Sequence, residues 1–180
     1  RSRCIKRFKE FIDCAAPYHA QVNIGRVRGN WYPEFLTKRL WNWLSMHSVN
    51  WRIMQNPVAL RSLWNQLIFF SAILLIPQQR QSVVDQVGRE NFRIMLDVFH
   101  MNIQDADILE EIRKSKGYFS YVHLCDNNRQ FPGSCGFDFP AILKALHGIG
   151  YEDYVSVEIL QLPTPETAVS KSAQLLLPLL

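Results

Sequence analysis

From position 83 onward the chain alternates short β-branched or aromatic runs with capped amphipathic segments, and this alternation is the strongest constraint on what it can fold into. Phe92-Arg93-Ile94-Met95-Leu96 is strand-like and ends at Asp97. Residues 102–116 predict a helix in which Ile108, Leu109 and Ile112 share one face. Its acids (Asp105, Asp107, Glu110, Glu111) come early, its bases (Arg113, Lys114, Lys116) come late, and Gly117 follows as a stop. That order complements the helix dipole. Tyr118 to Leu124 reads as a second strand, followed by a Gly/Asn/Pro loop from Cys125 to Phe137. Asp138 is placed to cap a helix with Pro140 in its first turn and Ile142, Leu143 and Leu146 on the buried face; Gly148 and Gly150 end it. Tyr154 to Leu160 predicts a third strand and Pro165 to Leu177 a final helix. Such alternation builds parallel βαβ units.

Three polar residues end these strands, separated by 26 positions (97 to 123) and 35 positions (123 to 158). One βα unit spans about 30 residues. Asp97, His123 and Glu158 are therefore expected side by side at the C-terminal edge of neighbouring strands, where α/β barrels keep their chemistry. Two carboxylates and an imidazole form a mixed O/N donor set suited to Mn²⁺, Mg²⁺ or Co²⁺ rather than to a thiolate-loving ion. Each residue has a plainer use. Asp97 could cap a helix, and His123 could be structural. Glu158, flanked by Val157 and Ile159, is harder to explain that way, because an unpaired carboxylate in an apolar strand is costly.

Upstream the pattern returns once: Ile5 to Ala16 predicts an amphipathic helix and Gln21 to Val27 a strand overlapping Gly25-Arg26-Val27-Arg28-Gly29. Residues 36–82 are atypical. Between Phe35 and Val84 there is no Asp or Glu, whereas Lys38, Arg39, Arg52, Arg61 and Arg80 lie there, as do Trp41, Trp43, Trp51 and Trp64. Solvated helices of a βα fold carry acids on their outer face, so this stretch has the character of an altered or out-of-frame segment inside a single 1–180 domain. The formal charge of +4 is concentrated in it. No basic stripe with interleaved aromatics marks a nucleic-acid surface elsewhere. The apolar run from Leu67 to Pro77 is too short to cross a bilayer. There is no secretory signal pattern at the start. Cys4, Cys14, Cys125 and Cys135 lack CxxC pairing, which suits reduced thiols in a cytoplasmic protein. Cys125 and Cys135 bracket one loop, an unspecific spacing for a soft ion. His19 and His47 have no partners visible in sequence, and His147 falls near a helix end.

A specific resemblance rests on Leu96-Asp97-Val98-Phe99-His100-Met101-Asn102, then Val122-His123-Leu124 with Asp126-Asn127 and Arg129, then Pro132-Gly133, and finally Gly150-Tyr151 with Val155-Ser156-Val157-Glu158. These linked motifs resemble the xylose-isomerase-like sugar isomerase/epimerase superfamily, among whose members the ketose 3-epimerases of tagatose/psicose type are nearest. The similarity covers roughly residues 83–175. It implies a (β/α) barrel of the TIM type, and a divalent metal, Mn²⁺ foremost with Mg²⁺ or Co²⁺ as alternatives. It also implies a small sugar or sugar phosphate as substrate, with neither nucleic acid nor membrane as partner. By the same resemblance Asp97, His123 and Glu158 match three of four metal ligands, and His100 and Arg129 match residues that hydrogen-bond substrate oxygens. Glu158 also matches one of two carboxylates that move a proton through a cis-enediolate.

Two departures bear on activity. The family's other catalytic Glu, also a ligand, ends a strand in a Leu-Glu-Pro-Leu-Asn-type motif about 30 residues before the Asp. Here that neighbourhood reads Arg61-Ser62-Leu63-Trp64-Asn65-Gln66, and an indole neither ligates a metal nor accepts a proton. A complete (β/α)₈ barrel needs about 250 residues, so the barrel is expected to be incomplete, with C-terminal units present and N-terminal units missing. Two other functions stay open. One is an endonuclease-IV-like nuclease for abasic DNA, whose zinc cluster needs more His and acidic ligands. The other is a non-catalytic degenerate barrel fragment that folds only partly or associates with another copy to cover open sheet edges.

Overall fold

The computed structural model describes residues 2–18, 20–23, 68–71, 81, 84–85, 88 and 91–180. The chain forms two compact units, Arg1–Phe70 with Ser82–Arg93, and Ser71–Gln81 with Ile94–Leu180. In the first, helix α1 (Ser2–Ala15) starts three residues earlier than the sequence predicts and buries Ile12 completely. Strand β1 (Val22–Asn23) pairs parallel with β2 (Ile68–Ser71), Val22 opposite Ile68. The rest of the strand predicted for 21–27, including Arg26, lies outside the described residues, as do Arg28, His19, His47, the four tryptophans and nearly all of 36–82.

The second unit is built on β3 (Phe92–Asp97, which enters this unit at Ile94), β4 (Phe119–Leu124) and β5 (Tyr154–Val157), adjacent parallel strands in chain order. β3 is buried along almost its whole length, as expected of a parallel strand covered on both faces. On β4, Val122 and Leu124 are fully buried, while Tyr121 and His123 alternate onto the other face. The register places Asp97 opposite His123 and His123 opposite Ser156. Two residues earlier it aligns Met95, Tyr121 and Tyr154, which form the row beneath. Tyr151 braces β4 against the approach to β5: its ring stacks on Phe119 at 5.0 Å and its hydroxyl donates to the Tyr154 carbonyl at 2.7 Å.

The predicted helix over 102–116 is two helices, α2 (Val98–Gln104) and α3 (Ile108–Lys114). Aspartates explain the break, because they compete for backbone N–H groups and so favour caps over helix interiors. Asp97 caps α2, its Oδ1 accepting from the Phe99 and His100 amides at 3.0 and 3.4 Å. Asp107 caps α3, accepting from Leu109 and Glu110 at 2.8 and 3.0 Å. Helix α4 (Phe139–Gly148) follows the prediction: Asp138 accepts from the Ala141 amide, and Ile142, Leu143 and Leu146 are buried. It packs against α3. Helix α5 (Pro165–Leu176), capped by Thr164, buries Ala168 and Leu176. Strand β5 is shorter than predicted and stops at Val157, so Glu158 sits just beyond the strand rather than within it. No helix among the described residues is long and apolar enough to cross a membrane.

Replacing Asp107 with Ala strands the two amides that it caps. The expected loss is about 1 kcal/mol of unfolding free energy, with Asp107→Asn largely neutral; urea denaturation midpoints of the three proteins check this.

Candidate functional site

The register that sets Asp97 opposite His123 puts a carboxylate and an imidazole on one row at the strand tips. Glu158 joins from the next tip, its backbone N–H donating to the Leu124 carbonyl at 3.1 Å. One ligand atom from each of the three residues lies within 4.8 Å of the others, and among the described residues this is the one such cluster of three. His123 Nδ1 is 2.8 Å from Glu158 Oε2 and 3.8 Å from Asp97 Oδ2. The donor set is compact, mixed O/N and of net negative charge, which fits a hard or borderline divalent cation. Asp97 is 3% exposed and Glu158 53%. The cost of burying an unpaired carboxylate, which singled out Glu158 in the sequence, therefore falls on Asp97 instead.

Electrostatics within the cluster follow from this packing. Burial raises the Asp97 pKa, but the His123 imidazole and the Arg129 guanidinium outweigh it and hold the carboxyl down at about 2. Burial opposes charging of His123 as well, yet Asp97 and Glu158 together hold its pKa above the ordinary imidazole value. His100, with Nε2 3.8 Å from Asp97 Oδ2, is shifted the other way chiefly by burial. Arg129 Nη1 donates to both Asp97 oxygens at 2.9 Å, and its Nη2 donates to Glu158 Oε2. The guanidinium carbon lies 4.9 Å from the centroid of the Phe99 ring. Thus the structure brings all five residues singled out in the sequence to one place. Of the loop cysteines, Cys135 is exposed, whereas the buried Cys125 thiol adjoins Arg129, and burial pushes it up to about 11. His147 is exposed in the last turn of α4.

One residue with a defining role carries no functional assignment from the sequence. Asp126 is fully buried and accepts five backbone N–H groups: Asn127, Gly136 and Phe137 on Oδ1 at 2.9, 2.9 and 3.1 Å, Gly133 and Cys135 on Oδ2 at 3.0 and 2.9 Å. It gathers the loop 125–137 around one carboxylate. Burial opposes its ionisation, but the backbone amides, led by Cys135, hold its pKa below the usual carboxylate value. The same loop presents Arg129, the one non-glycine among the described residues with positive φ, at 61°. Its amide donates to the Asp126 carbonyl at 2.9 Å and its carbonyl accepts from Leu160 at 2.7 Å. In the sequence Asp126 stands in the motif Asp126-Asn127 and at the head of an Asn/Gly/Pro loop, a generic turn signal, and neither assigns it this role.

Residues 57–179 match the family model described as xylose isomerase-like TIM barrel. The L-ribulose 3-epimerase of Mesorhizobium japonicum is 39% identical over 90 residues, which are 50% of this chain and 30% of that protein. The chain therefore spans less than a third of this curated relative. The D-psicose 3-epimerase of Clostridium cellulolyticum, determined with D-tagatose, superposes with a TM-score of 0.71 at 21% identity, covering 96% of this chain and 61% of that one. The IOLI protein, determined with a bound zinc atom, superposes at 0.63 and 20% identity, covering 97% and 68%. These structural likenesses establish the TIM-barrel fold.

Asp126→Asn removes the charge and leaves some of the five amides without an acceptor, an expected loss of about 3 kcal/mol at neutral pH. The folded carboxyl titrates below its unfolded value of about 3.9, so the wild-type advantage is full above that pH and is lost as pH falls through the folded pKa. Urea unfolding of both proteins between pH 7 and pH 3 should show a constant gap that closes only in acid.

Proposed function

The chain belongs to the xylose isomerase-like TIM barrel family, and on that premise we propose that Asp97, His123 and Glu158 form the metal centre of a sugar or sugar-phosphate isomerase/epimerase of ketose 3-epimerase type. The observation that carries this is the convergence of three donors from three consecutive strand tips within 4.8 Å. The sugars named with the relatives support a ketose as substrate. A divalent ion, Mn²⁺ before Mg²⁺ or Co²⁺, would supply the positive charge that lowers the cost of an enediolate.

The chain's own residues divide the remaining work. Asp97, buried and anchored as the α2 cap, gives a fixed anionic donor. Glu158, half-exposed at the mouth, is the group able to take and return a proton at the carbon beside the carbonyl. His100, disposed by burial to stay neutral, offers one ring N–H and one lone pair to a hydroxyl. Arg129 offers further donors for sugar oxygens. Inversion needs a second acid/base on the opposite face, and by the resemblance the neighbourhood that would hold it reads Arg61-Ser62-Leu63-Trp64-Asn65-Gln66, without a carboxylate. With that carrier replaced, the expected behaviour is weak metal retention and slow epimerisation. A single three-donor group among the described residues also suits a mononuclear sugar site better than a multi-zinc nuclease centre.

Calorimetric titration with Mn²⁺ tests the reading. The folded wild type should show saturable uptake that weakens at least about tenfold in Asp97→Ala and in His123→Ala. Chromatography after incubation of the Mn²⁺-loaded protein with D-tagatose, D-psicose or L-ribulose should show slow formation of the 3-epimer. Absence of saturable uptake both from the folded wild type and from a folded variant lacking the Arg129 guanidinium would overturn the proposal.

A further inference from the structure

The mouth of the cluster is already filled by a cation that belongs to the chain. Arg129 makes a fork on both oxygens of Asp97 and continues to Glu158 Oε2, so its guanidinium engages Asp97 Oδ2 and Glu158 Oε2, the carboxylate atoms that lie nearest His123 Nδ1. A divalent ion held by Asp97, His123 and Glu158 would draw on the same oxygen lone pairs. Arg129 is 19% exposed, and its neighbours on three sides hold this pose. The Phe99 ring backs the guanidinium, the left-handed backbone aims it inward, and hydrogen bonds to Asp126 and Leu160 hold that backbone on either side. Arginine is positively charged at every accessible pH, so this counter-ion does not titrate away.

We propose that Arg129 is an intramolecular counter-cation that competes with the divalent ion for Asp97 and Glu158. In the ion-free protein it neutralises the two carboxylates and ties the tips of β3 and β5 together. Entry of a divalent cation displaces the guanidinium from the carboxylates, and the freed N–H donors then face the mouth where a substrate's oxygens would lie. Metal affinity and the availability of Arg129 to substrate are thereby linked in one exchange. The inference rests on the proposed cation site and adds to it a residue that opposes loading.

The test is Mn²⁺ calorimetry on wild type, Arg129→Gln and Arg129→Lys, with thermal melts in EDTA and in saturating Mn²⁺. Removing a positive charge from the donor atoms should tighten Mn²⁺ binding in Arg129→Gln by at least about tenfold. Arg129→Lys, which keeps the charge but loses the two-carboxylate fork, should fall between. In EDTA, Arg129→Gln should melt below wild type, and saturating Mn²⁺ should close the gap; a merely structural arginine would lower the melt without tightening the ion. Equal or weaker Mn²⁺ binding by folded Arg129→Gln overturns the inference while leaving the metal centre standing. No uptake by wild type or either variant overturns both, whereas uptake by Arg129→Gln alone supports both. If the variants do not fold, the side-chain NMR signal of Arg129 in wild type decides. It should move in step with a titration of diamagnetic Mg²⁺, and an unmoved signal overturns the proposal.

Discussion

Asp97 must remain charged while almost wholly buried, and the strand tips are arranged around that requirement. An ionised carboxylate in such a place is tolerated only when hydrogen bonds and opposite charge replace the water that it has lost. Its Oδ1 receives two amides at the start of α2, so the first turn of that helix stands fixed to the end of β3. Arg129 and His123 supply the compensating charge from the next strand and its loop. Strand order, helix entry and the five polar residues of the mouth are thus coupled through one side chain. Moving β4 by a single residue would send His123 to the opposite face and leave Asp97 short of one partner.

A second buried aspartate solves the same problem in another way. Asp126 is compensated by five peptide N–H groups from its own loop, with no side-chain cation among the described residues hydrogen-bonded to it. That difference suits the two positions. Backbone amides cannot be exchanged for an incoming ion, so Asp126 builds a fixed loop. Side-chain cations can be exchanged, so Asp97 stays available for ligation. The two aspartates are linked through Arg129, whose backbone is held by the Asp126 turn and whose guanidinium reaches Asp97.

Much of this was legible along the chain, for identifiable reasons. The alternation after position 83 gave three strands and the two last helices, because turn residues and caps such as Asp138, Pro140 and Thr164 punctuate it locally. The single helix expected over 102–116 failed at Asp105 to Asp107, where clustered acids that resemble dipole-complementing residues act as a helix end and a new cap. Burial falls on Asp97 and not on Glu158: Val157 and Ile159 flank Glu158, but β5 ends before it and leaves it half-exposed. The left-handed Arg129 and the amide cage of Asp126 had no sequence signature beyond a polar loop, since both depend on residues up to eleven positions apart closing on one point.

Local chemistry and spacing alone therefore determined which elements form in the second unit and which three polar residues end neighbouring strands. A period of two along strands and a repeat near thirty residues between them are properties of the covalent chain. Tertiary structure decided the rest: which of two carboxylates is buried, which cation answers it, and that the chain's own arginine reaches the atoms a metal would use. These depend on distances across the sheet and on the dielectric inside it, and neither exists until the strands have paired.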